Sequence, residues 1–403
     1  MNAQLILVTK TMTESDNRFT LGVEEEYQII DARTRALKPH GSDLLHHVEA
    51  KLEARVDREN SGDPGEGTSG GAVANELFLS QIEIGTPVCN TLGEVREQIT
   101  RWRRTVIEAA RQRGDAIAAS GTHPFSHWAD QEVTPKSRYL DMADLYQQLA
   151  REHLICGCHV HVGIDDRELA IQVMNRARGW MAPLIALAAN SPFWLGEDTG
   201  YASYRTEIWR RWPMAGSPAS FASRAEYDAL VRTLVDTGSI SDETKIYWDM
   251  RPADRFETLE FRATDVCLSI DEAVLIAGLA RGLARTCFEL AALDLERQSV
   301  SVPARPELLR ASDWRAARHG LEGELIDVQN GTMVPAPDLI GKLLDFVRPA
   351  LEESRDWEEV HALATQVLQG GNGAMRQRAA YRKNGSFEDV MDLVTEETAR
   401  GIV

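Results

Sequence analysis

Long apolar runs are missing from this 403-residue chain. The N-terminal stretch Leu5-Ile6-Leu7-Val8 is too short for a signal-peptide core, and nothing approaches the roughly 18 uninterrupted apolar residues of a membrane span. Cysteine is also scarce. The five that occur (Cys89, Cys156, Cys158, Cys267 and Cys287) are odd in number and scattered, which argues against a disulfide scaffold and makes a reducing cytoplasm the expected compartment. Basic patches are absent too: 62 acidic residues face 44 basic ones, a net charge of −18, and the runs at Arg101–Arg104 and Arg210-Arg211 are short. Such a balance repels a phosphate backbone, so neither nucleic acid nor a membrane is an expected partner. GxxxxGK[ST] and HExxH are missing, which removes a Walker loop and the common zinc hydrolases.

What remains is a chain with 43% hydrophobic and 26% charged residues, in the range of globular proteins. Residues 1–18 read as a mobile tail, polar after Val8, with Met12 as an alternative start. Phe19 to Ile30 alternates like a strand, and Glu59 to Gly71 is a glycine-rich flexible loop. Leu92, Val95, Ile99, Trp102 and Val106 recur at helical spacing, and Gly114 closes that segment. Further helices are expected over 167–189, capped by Asp165 or Asp166, over 271–295, and from Pro337 onward. Strand-like pieces fall at Ile117–Ala119, His153–Ile164 and Thr258–Phe261. Strands and helices do not alternate regularly, so the fold class is α+β, with one domain over 19–403.

Several segments carry groups able to do chemistry. In Gly22–Ile30, strand parity puts Glu24, Glu26 and Gln28 on one face and Val23, Glu25, Tyr27 and Ile29 on the other. Alone, the run reads first as an edge strand with its acids in water. Glu76 and Glu83 frame a second, very apolar segment; seven residues apart, they can share a site only if the chain bulges or turns between them. In Cys156–Gly163, His159 and His161 point away from Cys156 and Cys158, against a single tetrahedral zinc and in favour of paired site histidines. Glu260 and Arg262 share a face, either as a surface ion pair or as a metal-holding acid beside an anion-holding guanidinium. Asn190–Arg205 has the composition of a substrate-binding loop, or of a plain connection. Gly370–Arg378 is a glycine-rich turn with two arginines. Glutamates from several strands suit magnesium, and arginines suit a transferring phosphoryl group.

The segments GVEEEYQIID, ELFLSQIEIGTPVC, CGCHVHVGI, NSPFWLGEDTGYASYR, WDMRP, LEFRATDVC and GNGAMRQR, in this order, resemble the glutamate–cysteine ligase type 2 family of carboxylate–amine ligases. The resemblance implies a glutamine-synthetase-like antiparallel sheet with helices on one face and an open face for ATP, two or three Mg2+ ions and substrate. It implies Glu24, Glu26, Glu76, Glu83, His159 and Glu260 as the metal-facing set. Arg205, Arg251 and Arg262 follow as catalytic contacts to substrate or acyl phosphate, with Arg205, Arg251, Arg376 and Arg378 on the nucleotide. The implied reaction is phosphorylation of a carboxylate by ATP and its capture by an amine, with glutamate and cysteine as substrates and γ-glutamylcysteine, on the way to glutathione, as product. A homo-oligomer, a dimer in the simplest case, completes the expectation. A different amine, a phosphagen-type guanidino kinase and a catalytically silent metal- or nucleotide-binding protein stand as alternatives. Within the acidic run, Glu25 is the residue expected to tolerate replacement.

Overall fold

The computed structural model describes residues 18–59, 71–297 and 304–402. The expected tail before Arg18, Met12 within it, and nearly all of the glycine-rich 59–71 loop lie outside these residues. Its strands are β1 (Leu21–Asp31), β2 (Ala72–Asn75), β3 (Gln81–Gly85), β4 (Asp115–Ala118), β5 (Gly157–Gly163), β6 (Phe193–Trp194), β7 (Glu197–Asp198), β8 (Met250–Pro252), β9 (Thr258–Asp265), β10 (Glu324–Asp327) and β11 (Thr332–Pro335). Seven of them form one sheet in the order β2-β3-β1-β5-β9-β8, with β4 also on β1, and every pairing is antiparallel. β1 is therefore central: β5 takes one edge, while β3 and then β4 share the other.

The two faces of this sheet meet different surroundings. Val23, Tyr27 and Ile29 of β1, Ile82 and Ile84 of β3, and Cys158, Val160 and Val162 of β5 enter the main apolar core. Helices Leu92–Arg111 and Ile270–Arg297 pack against β1 from that side. All five apolar positions anticipated in the first of these helices are buried, and Thr91 caps it by accepting a hydrogen bond from the Glu94 amide at 3.1 Å. Asp166 is the cap of Arg167–Ala177.

Some boundaries differ from expectation. The long 167–189 helix breaks into Arg167–Ala177, a 3-10 turn at Arg178–Trp180, and Met181–Ala188. Pro183 has no N–H for a continuing ladder and fits only the first turn of a new helix. The 153–164 strand begins at Gly157, the 258–261 strand runs on to Asp265, and the last expected helix opens at Ala336.

Glu25 overturns its expected tolerance. Parity does turn it away from Glu24 and Glu26, but that side is the core rather than water. Glu25 is fully buried and accepts from Arg103 Nη2 at 2.5 Å and Nε at 3.0 Å, and from the Tyr27 hydroxyl. Arg103, also fully buried, donates on to the carbonyls of Cys267 at 2.9 Å and Leu268 at 3.2 Å. Burial works against the Arg103 charge, yet Glu25 and Tyr27 outweigh it and raise its pKa. Removing one partner of such a pair leaves an uncompensated charge in the core. Glu25→Ala should lower unfolding free energy by about 3–5 kcal/mol in urea denaturation, and a loss below about 1 kcal/mol, the scale of a surface pair, would contradict this account.

Candidate active site

On the other face of the sheet, side chains from five strands converge on one cleft. It is lined by Glu24 and Glu26 from β1, Glu83 from β3, His159 and His161 from β5, Arg251 from β8 and Glu260 and Arg262 from β9. Register explains the convergence. Glu24 stands opposite His159, Glu26 opposite Glu83, and Glu260 opposite both His161 and Arg251. The β5–β9 pairing shifts by one residue between Cys158 and Val160, opposite the Arg262–Ala263 stretch, a bulge of the kind that re-aims side chains. Glu76 lies just beyond β2, and the turn into β3 brings it to the same cleft as Glu83. The turn required by their spacing is thus present.

The acids are held at short range. Glu24 lies 3.3 Å from His159 Nδ1 and 3.5 Å from His161 Nε2. Glu260 receives Arg251 Nε at 2.7 Å and also pairs with Arg262. Glu26 accepts the Gly157 amide at 2.6 Å, and Glu76 accepts from the Tyr139 hydroxyl at 3.3 Å.

This crowding divides the titrations. Burial would raise Glu24, but hydrogen bonds to the two histidines hold it well below the usual carboxylate range. Glu260 is likewise held down against burial, chiefly by Arg262 and Arg251. Glu26 goes the other way, pushed to about 8 by burial and by Glu76. Glu83 is driven well above its usual value by burial and then by Glu24, Glu76 and Glu26, while burial alone suffices to raise Glu76. Burial and Arg262 lower His159 to about 4; at His161 burial is outweighed by Glu24 and Glu260, and its pKa rises.

The donor set fits divalent cations. Glu24, His161 and Glu260 offer one group of ligand atoms within 4.8 Å of one another, and Glu24, Glu83 and His159 offer another. Among the described residues, buried His159 Nε2 makes no hydrogen bond, and His161 Nε2 has only the Glu24 carboxylate, at 3.5 Å, to meet it. Mostly oxygen donors with imidazole suit magnesium or manganese, and a cation would relieve the repulsion that now raises Glu83 and Glu26. His161, which the sequence paired with His159 but left out of the metal-facing set, is brought by the strand register into one of these two groups. The cysteines of the same motif lie buried and free beneath the sheet.

Of the arginines, Arg205, Arg251 and Arg262 reach the cleft. Arg205 opens the Tyr204–Trp209 helix, and its backbone amide is fixed by Ser191, which with Ser203 and the Asn190 amide is bound to buried Asp265. Its guanidinium is buried, its Nε has no partner among the described residues, and it lies against Gly157, where any Cβ would collide with it. Arg205 and Arg262 also lie over the Trp209 ring at 5.6 and 5.4 Å. The rest of Asn190–Tyr204 is connection, since only Arg205 of that segment lines the cleft. Arg376 and Arg378 are not brought there. Arg376 pairs with Glu272 and Glu397, and Arg378 with Asp198 and the Tyr201 carbonyl.

Sequence reading missed Arg138, Tyr139, His153, Trp209, Trp212 and Tyr247, which close the cleft. Trp209 alone left a signal, one helical turn beyond Arg205. Because Glu26 and Glu83 must give up protons to a cation, magnesium affinity should rise with pH towards about 8, up to roughly tenfold per unit for each proton released. Magnesium should therefore raise the thermal midpoint more at pH 8 than at pH 6. Equal shifts at both would remove these carboxylates from the ligand set.

Comparison with known proteins follows the same line. The model of glutamate–cysteine ligase family 2 matches residues 20–395. A Rhodopirellula baltica protein provisionally named glutamate–cysteine ligase 2 is 43% identical over 379 residues, covering 94% of this chain and 96% of its own. A Frankia alni protein provisionally named glutamate–cysteine ligase 2-2 is 42% identical over 388 residues, covering 94% and 97%. Among solved structures, the glutamate–cysteine ligase of Francisella tularensis in complex with AMP superposes with a TM-score of 0.67 at 12% identity, covering 96% of this chain and 89% of that one. That likeness is one of fold, the glutamine-synthetase-like antiparallel sheet backed by helices. The chain belongs to glutamate–cysteine ligase family 2.

Proposed function

We propose that this protein is an ATP-dependent carboxylate–amine ligase that forms an amide through an acyl phosphate and releases ADP, with glutamate and cysteine as its first candidate substrates and γ-glutamylcysteine as product. One observation carries the reading: six carboxylates and five guanidiniums line a single cleft around two overlapping groups of side chains able to hold a cation. Family membership supports it.

A carboxylate is a poor acylating agent, and transfer of the γ-phosphoryl group to it creates a leaving group that an amine can displace. Glu24, Glu83, Glu260, His159 and His161 would hold magnesium, which screens phosphate charge when bound. Arg262, tied to Glu260, and Arg205, stacked with it on Trp209, present fixed positive charge where the transferred group would carry its negative charge. Arg205, with no carboxylate at hydrogen-bonding distance among the described residues, is suited to a substrate carboxylate or a phosphate oxygen. Arg251 works through Glu260 as well as through the cleft. No covalent protein nucleophile is required. Arg376 and Arg378, bound elsewhere, take no part in this scheme.

The reading extends to one catalytic domain over 19–403, acting on small molecules as a homodimer in a reducing cytoplasm. Five free, buried cysteines are compatible with that compartment. No helix among the described residues is long and apolar enough to cross a membrane.

The test is mass-spectrometric detection of amide with ATP, magnesium and pooled carboxylates and amines. ADP and amide are expected together, and neither should form without magnesium. A phosphorylated guanidine in place of amide would instead indicate a kinase. Glu24→Gln and Glu260→Gln should each lower turnover about 100-fold or more, as loss of charge placement at a reacting centre does; near-normal turnover in both would remove the cleft from the chemistry. Gly157→Ala should cost at least about tenfold in kcat/KM by displacing Arg205, a misplacement of the kind that is costly at a reacting centre. Unchanged kinetics would free Arg205 from any role.

A further inference from the structure

One wall of the cleft is apolar and distant in character from the acidic sheet. Met142, Ile155, Trp209, Trp212 and Tyr247 line it, and His153 is the polar group set among them. The His153 ring packs against Trp212 at 4.7 Å and Trp209 at 5.6 Å between centroids. Trp212 Nε1–H donates to His153 Nδ1 at 2.8 Å. An indole N–H can only donate, so Nδ1 must be the acceptor, and a neutral ring then carries its proton on Nε2. The neutral form is favoured here: burial and the charges of Arg205, Arg211 and Arg262 lower the His153 pKa to about 3. Nε2 meets no partner among the described residues, although His153 lines the cleft and is only half-buried. An N–H donor of fixed tautomer therefore projects from an aromatic wall into open space.

We infer that this wall is the pocket for the amine substrate, that His153 is its specificity-determining residue, and that the pocket takes an amino acid whose side chain is uncharged and mainly apolar, with an acceptor of the same molecule meeting Nε2–H. The inference rests on the ligase reading above and names the second substrate's class. The charges that act on His153 are those of Arg205, Arg211 and Arg262, so a lysine-like ammonium placed beside it would face like charge. An aspartate-like side chain would have to leave water for an aromatic surface offering a single neutral donor. The substrate's own carboxylate, or a carbonyl, hydroxyl or sulfur, can meet Nε2–H while the side chain packs on the rings. A site built to donate one hydrogen bond disfavours a ligand that leaves the donor unpaired, and removing the donor relaxes that selection.

Two assays separate this pocket from the chemistry beside it. Hydroxylamine traps an acyl phosphate as a hydroxamate and has no side chain to place, so it reports phosphoryl transfer alone. His153→Phe keeps a ring but removes the donor; it should raise the amine KM at least about tenfold, the size of one lost hydrogen bond. The KM values for ATP and carboxylate, and the hydroxamate rate, should stay within about threefold. His153→Gln, which restores an N–H near the Nε2 position, should recover part of the loss. The 15N spectrum at pH 7 should contain a neutral Nε2–H imidazole that disappears in His153→Gln and loses its fixed tautomer in Trp212→Phe. Equal losses by the amine and hydroxylamine routes, a rise confined to the ATP KM, a preference for lysine or aspartate over leucine or phenylalanine, or an Nδ1–H tautomer would each overturn the pocket. Hydroxamate with any of those patterns sinks the pocket alone. Neither hydroxamate nor amide from the wild type sinks the ligase reading and the pocket with it.

Discussion

Five carboxylates held on one side of a sheet repel one another, and much of the site's construction answers that repulsion. Glu24 and Glu260 are kept charged by histidines and arginines, whereas Glu26 and Glu83, directly opposite each other on neighbouring strands, are pushed towards holding protons. The arrangement is stable as a surface only because the sheet is locked from behind. Glu25 and Arg103 pair inside the core at the middle of the central strand, and Arg103 bonds to the backbone that follows β9. The same strand thus presents unbalanced charge forward and balanced charge backward. Strand alternation makes that division possible within three consecutive glutamates.

Much of this was legible in the sequence because the relevant periods are local. Two-residue parity placed Glu24 and Glu26, His159 and His161, and Glu260 and Arg262 correctly, and the β2–β3 turn was demanded by the spacing of Glu76 and Glu83. Parity says which residues share a face but not what that face meets. Parity alone therefore leaves Glu25 on the opposite face as the acid expected to tolerate replacement, and only the packing of the Leu92–Arg111 helix against β1 reveals Arg103 as its partner.

Non-local pairing hid the rest. Arg376 and Arg378 follow a glycine-rich stretch that looks made for phosphate, yet they lie on the Gly373–Asn384 helix and Glu272, Glu397 and Asp198 claim them from other parts of the chain. His153 and the tryptophans come together through packing of segments whose sequences carry no shared period. The acidic half of the cleft is built by strand register and can be read. The aromatic half is built by tertiary contact and cannot.

The central place of β1 has a consequence for synthesis. It is the first described strand, but its neighbours follow only at residues 81–85, 115–118 and 157–163, and the strand that pairs with β5 ends at Asp265. Contacts so far apart in sequence carry a loop-closure cost before they return any stabilisation. On the ribosome, one edge of β1 stays unpaired until β5 has emerged at residue 163, and the sheet beyond β5 waits until β9 ends at Asp265. The order in which the chain is made, and not only the energy of the finished sheet, therefore decides how long this strand stays open to wrong partners.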